Sequence, residues 1–161
     1  MPSISRRGIE LPSSPIRKLV PLSDAAKRQG VKVYHLNIGQ PDLPTPPPGM
    51  ESLKHITRTT LEYSPSEGIL PLRLKISGYY ARFGLQVAPE EIIVTTGGSE
   101  GILFAMLACL DPGDELVMLE PGYANYISLA QAAGIVVKTV KSSIENDFAL
   151  PPISAFEEDI T

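Results

Sequence analysis

The residues best placed to do chemistry are Thr95-Thr96-Gly97-Gly98-Ser99-Glu100-Gly101. They follow the β-branched triplet Ile92-Ile93-Val94 and precede the apolar run Ile102 to Leu110. The order predicts a short buried strand, a sharp turn and a helix. Paired glycines let the backbone turn tightly and approach a ligand with no Cβ in the way. Ser99 is the expected cap of the helix. The first N–H groups of a helix have no intrahelical acceptor and lie at the positive end of its dipole, so the stretch could hold a phosphate. Taken alone, such a turn serves packing more often than anion binding.

Three other stretches have unusual composition. Asn37-Ile38-Gly39-Gln40-Pro41-Asp42-Leu43-Pro44-Thr45-Pro46-Pro47-Pro48 is expected to be a rigid extended loop, because proline blocks both helix and ladder. Tyr63-Ser64-Pro65-Ser66-Glu67-Gly68 reads as a turn, and Glu120-Pro121-Gly122-Tyr123-Ala124-Asn125-Tyr126 as a turn running into a helix. His35 and His55 match no catalytic pattern, and Glu90-Glu91 reads as solvated.

The elements that must position these stretches alternate along the chain. Residues 1–15 read as an extended, Pro/Ser-rich arm. Helices are expected over 16–29, bent or delayed by Pro21, and over 49–60 and 70–83. In the helix over 70–83, Leu72, Ile76, Tyr79, Tyr80 and Phe83 recur at helical spacing, with Arg73, Lys75 and Arg82 between them. Strands are expected at 31–36, 92–94, 115–119 and 135–140. Helices are expected from Tyr126 to Ala133, stopped by Gly134, and over 151–158. Strand-helix-strand alternation with short breakers such as Asp111-Pro112-Gly113-Asp114 predicts an α/β fold with parallel pairing. The helix over 102–110 is apolar all round and is expected to be buried.

Composition narrows the function classes. The 161 residues carry 14 Lys and Arg against 18 Asp and Glu, a net charge of -4, which argues against a nucleic-acid surface. A single cysteine, Cys109, excludes a disulfide framework, and is expected to be a small core residue. No apolar run reaches membrane-spanning length and no signal peptide is legible, so a cytoplasmic protein is expected. No metal site is expected.

In this order, the four stretches resemble the N-terminal half of the class I/II pyridoxal-phosphate (PLP) aminotransferases, the aspartate aminotransferase superfamily. The resemblance runs from about Ser14 to Thr161. It implies an α/β PLP-transferase fold, with a mainly parallel sheet. Residues 1–48 would supply the N-terminal arm and a small-domain segment, and residues 49–161 an incomplete first part of the PLP-binding large domain.

The resemblance also implies roles. Gly98, Ser99 and Glu100 match the phosphate cup. Tyr123 matches the aromatic residue that stacks on the pyridine ring, and Tyr63 the tyrosine that reaches across a homodimer to the partner's cofactor phosphate. Gly39 matches the glycine whose backbone lies against the substrate carboxylate, while Asn125 and Tyr126 share Tyr123's motif as structural residues. The implied substrates are an amino acid and a 2-oxo acid. The family's Schiff-base lysine lies in a later, serine-rich context that none of the seven lysines matches: Lys18, Lys27, Lys32, Lys54, Lys75, Lys138 and Lys141. The chain is therefore expected to be a truncated half, inactive alone and with apolar surface exposed. A PLP-dependent lyase or decarboxylase on the same fold, and a non-catalytic split or remnant module, are the alternatives.

Overall fold

A computed structural model describes residues 3–11, 14 and 16–160, without the side chain of residue 7. Its elements, in chain order, are α1 (Arg6–Glu10), α2 (Val20–Arg28), α3 (Pro47–Lys54), α4 (Leu70–Ala81), α5 (Gly98–Cys109), β1 (Glu115–Glu120), α6 (Ala124–Ala133), β2 (Val136–Lys141) and α7 (Ile153–Glu157). Short 3-10 turns occupy Arg17–Leu19, Pro89–Glu91 and Ile144–Asn146. The chain divides into two units, one of residues 34–95 and the other of residues 1–33 with 96–161.

The second of these units carries the α/β core. β1 and β2 pair in parallel, in register from Glu115 opposite Val136 to Glu120 opposite Lys141. α6 makes the crossover between them, as parallel pairing requires. The turn before β1 closes on itself, with Asp114 N–H donating to Asp111 O at 3.0 Å and Asp111 N–H to the Asp114 carboxylate at 2.8 Å. Met106 of α5, Ala130 of α6 and Ile135 form the buried centre. Ile102, Leu110, Leu116, Leu129, Ala133 and Val137 pack around it. Apolar residues from two helices and two strands thus leave water together, which is the main favourable term available to this unit.

Around α5 the expectation of full burial is corrected. Met106 is buried, but Phe104, Leu107 and Cys109 are exposed. Among the described residues, only the side of the helix facing α6 and the strands is covered. The Cys109 thiol therefore lies outside the core, beside an open apolar trough of about 480 Å³ lined by Ile102, Ala105, Met106, Leu116 and Met118 among others.

At the N-terminus the expected extended arm contains the short helix α1, closed by an Arg6–Glu10 ion pair at 2.7 Å. Residues 1, 2, 12, 13 and 15 of that arm lie outside the described residues. Pro21 does not break α2; it sits in the first turn, where its missing N–H costs nothing.

The unit of residues 34–95 is built on α3 and α4. α3 starts earlier than expected, because Pro47 and Pro48 occupy its first turn, and it stops at Lys54. Beyond it lies the β-branched Ile56-Thr57, which favours extended backbone. α4 ends two residues short of its expected span; Leu72, Tyr79 and Tyr80 on it, and Phe83 just beyond it, stay largely exposed.

Two expected strands are absent among the described residues. Segments 31–36 and 92–95 carry no ladder. β-branched composition supplies the propensity for a strand, but a strand exists only against a partner. Val94 N–H instead donates to Glu67 O at 3.0 Å, across to the Pro65–Gly68 turn.

Candidate functional site

The helix over which the glycine turn opens is α5. Gly97 is its N-cap residue, at φ 84° and ψ 167°, a conformation essentially confined to glycine. Gly98, Ser99 and Glu100 are the first three helical residues. The expected Ser99 cap is not made, since no side chain caps the helix at Gly97. Ser99 lies two residues inside the start, past the position from which a hydroxyl caps.

Glu100 reaches back instead, and its carboxylate accepts the Thr96 N–H. This satisfies one donor just outside the helix and directs the negative charge backwards. The first backbone bond of the helix runs from Gly101 N–H to Gly97 O at 3.4 Å. The N–H groups of Gly98, Ser99 and Glu100 find no backbone acceptor among the described residues. A Cβ on Gly98 would meet nothing within 4 Å, so the approach to these donors is open.

An aromatic pair stands at the same place. The loop after β1 passes the cis Glu120–Pro121 peptide and delivers Tyr123 as the N-cap residue of α6. Tyr123 and Tyr126 are one helical turn apart, so their rings meet edge to face at 5.3 Å between centroids. Asn125 Nδ2 donates to the Tyr123 hydroxyl at 2.9 Å. Gly98, Ser99, Gly101, Ile102, Tyr123 and Tyr126 together line an open cavity of about 490 Å³.

The structure thus brings Gly98, Ser99 and Tyr123 to one cavity, with Glu100 fastened behind it. Tyr126, expected to be structural, also lines the cavity; its spacing of three from Tyr123 was the available signal. Among the described residues, no lysine lines it. Orphan N–H donors, an open approach and a flat aromatic face beside them fit an aromatic phosphate ester such as PLP.

Tyr63 and Gly39 belong to the unit of residues 34–95. The Tyr63 side chain is fully exposed, and Gly39 is exposed with open space around its Cα. Arg73, which falls between apolar residues on α4, is buried, with 8% of its surface exposed. Its Nε donates to Gly68 O at 3.1 Å and its Nη1 to Pro89 O at 2.8 Å.

Comparison with known proteins adds an independent line. The family profile described as "Aminotransferase class I and II" matches residues 31–160. The aspartate aminotransferase of Thermotoga maritima is 31% identical over 147 residues, which cover 90% of this chain and 39% of the relative. The aspartate/prephenate aminotransferase of Thermus thermophilus is 38% identical over 132 residues, or 78% of this chain and 33% of the relative. Among solved structures, a single mutant of Thermus thermophilus aspartate aminotransferase superposes with a TM-score of 0.90 at 34% identity, covering 100% of this chain and 42% of that one. The chain thus spans between 33% and 42% of the length of these relatives. Its fold is that of the matching portion of an aspartate aminotransferase, an α/β fold with a parallel sheet.

Proposed function

We propose a function for this chain from the family to which it belongs, the class I and II aminotransferases: it holds PLP for the transfer of an amino group from an amino acid to a 2-oxo acid. The observation that carries the reading is the shared cavity of the α5 N-terminus and Tyr123. Bound PLP supplies an electron-withdrawing ring that takes up the electron pair released at the substrate's α-carbon.

This chain's residues bind and orient. The Gly98 and Ser99 N–H groups and the Ser99 hydroxyl hold the phosphate, and Glu100 orders the turn behind them. Tyr123 supports one face of the ring, and the backbone at Gly39 lies against the substrate carboxylate. Residues 1–48 act as arm and small-domain segment, and residues 49–161 as the first part of the large domain. The enzyme works as a cytoplasmic homodimer, with Tyr63 of one protomer reaching the phosphate held by the other.

The lysine that carries the cofactor and moves the proton comes from the rest of the fold, supplied by a longer polypeptide or a second chain. These 161 residues alone do not transaminate. The complete enzyme is this chain together with that remainder.

Adding an amino acid to the complete enzyme is expected to abolish the visible absorbance of its bound cofactor and release the matching 2-oxo acid. The 161-residue chain alone is expected to do neither. Transamination by the chain alone would contradict the missing lysine. Release of carbon dioxide or an elimination product in place of the 2-oxo acid would favour a decarboxylase or lyase.

A further inference from the structure

We propose that Arg73 is a positioning residue for Tyr63, clamping the turn that fixes where the Tyr63 hydroxyl projects. This rests on the reading of Tyr63 as a ligand of the cofactor phosphate.

Among the described residues, Arg73 is the one charged residue that is buried. Burying a guanidinium is costly unless its donors are satisfied. Its partners lie on two separate segments. Nε and Nη2 face the Pro65–Gly68 turn, at Gly68 O (3.1 Å) and the Glu67 carboxylate (3.5 Å). Nη1 faces Pro89 O at 2.8 Å, sixteen residues along the chain. A planar fork reaches three acceptors at fixed angles, which the single ammonium of lysine does not.

The turn is gripped from a second direction. Val94 N–H donates to Glu67 O at 3.0 Å. Gly68, at φ 96°, lies so close to Val94 that a Cβ would come within 2.7 Å of the Val94 side chain. Within the turn, Gly68 N–H donates to Pro65 O at 2.9 Å. Only Ser64 separates Tyr63 from Pro65. Pro65 has a fixed φ and biases Ser64 to extended backbone, so the clamp at Gly68 narrows the directions in which Tyr63 can project.

The Tyr63 side chain is fully exposed, so no packing within its unit places it. Its placement is set through the backbone, and the clamp is the element that sets it.

The test is a double-mutant cycle in the complete enzyme, with PLP and pyridoxal affinities read by equilibrium titration and the thermal midpoint followed in parallel. Tyr63→Phe and Arg73→Lys are each expected to weaken PLP on the order of tenfold, the size of one hydrogen bond to a charged group. Pyridoxal, which lacks the phosphate, is expected to bind unchanged. The double variant is expected to be no weaker than Tyr63→Phe alone, because Arg73 acts through Tyr63. Additive losses, or a loss of pyridoxal equal to that of PLP, would overturn the positioning role while leaving the Tyr63 reading intact. So would an Arg73→Lys variant that binds normally when Tyr63→Phe does not. Tyr63→Phe without effect would overturn both. If Arg73→Lys fails to fold, Gly68→Ala displaces the same turn through Val94 and is expected to show the same non-additivity with Tyr63→Phe; additivity there overturns the proposal.

Discussion

The side-chain amide of Asn125 donates to the hydroxyl of Tyr123 at 2.9 Å, across a single intervening residue. Tyr126 meets the same ring edge to face at 5.3 Å. Tyr123 is half exposed, so these two neighbours hold a ring that bulk packing does not. Asn125→Ala keeps the aromatic face but removes one of the two contacts that hold the ring. A neutral hydrogen bond contributes about 1 kcal/mol, so the complete enzyme is expected to bind PLP about fivefold more weakly. Tyr123→Ala removes the aromatic face and is expected to cost more. Equilibrium titration of both variants checks this, and an Asn125→Ala variant with unchanged affinity would contradict it.

The two glycines that shape the turns should differ in what a methyl group costs them. At Gly97 a Cβ would meet nothing within 4 Å, so Gly97→Ala carries only the strain of its positive φ, about 2 kcal/mol. At Gly68 the same conformational strain combines with a 2.7 Å approach to Val94, and the loss is expected to be larger, about 3 kcal/mol or more. Urea unfolding of the two variants of the complete enzyme orders them. A Gly97→Ala loss exceeding that of Gly68→Ala would refute the contribution of the Val94 contact.

The apolar trough between α5 and β1 carries a prediction about the chain by itself. Cys109 is exposed beside this trough of about 480 Å³. The 161-residue chain is expected to bind a hydrophobic dye such as ANS, and its thiol to react with Ellman's reagent as fast in native buffer as in urea. Both signals are expected to fall in the complete enzyme if further structure packs on the trough, since exposed apolar surface of this kind marks a contact site. A chain that binds no dye and protects its thiol would contradict this exposure.

Much of the cavity is legible in the sequence, because local rules set it. Gly97-Gly98-Ser99 marks the start of α5, and the spacing of three between Tyr123 and Tyr126 puts both rings on one side of α6. What eludes such rules depends on partners distant in the chain. Ile92-Ile93-Val94 has the composition of a strand, but Val94 spends its N–H on Glu67. Cys109 sits in an apolar helix, but burial depends on what packs against that side of α5, and no described residue covers it there. The burial of Arg73 is not legible locally, since nothing near it in the chain announces that Gly68 and Pro89 will turn their carbonyls toward it.

The most direct test of the central claim, that the α5 N-terminus holds the cofactor phosphate, is the PLP affinity of Gly98→Pro in the complete enzyme. Proline is well tolerated at the first helical position, and there a ring methylene replaces the N–H proposed to face the phosphate. A side chain at Gly98 also has open space. PLP is expected to bind on the order of tenfold more weakly, as for one charge-assisted hydrogen bond, while pyridoxal binds as before. Equal losses for both ligands, or no loss of PLP affinity, would contradict a phosphate seated on α5.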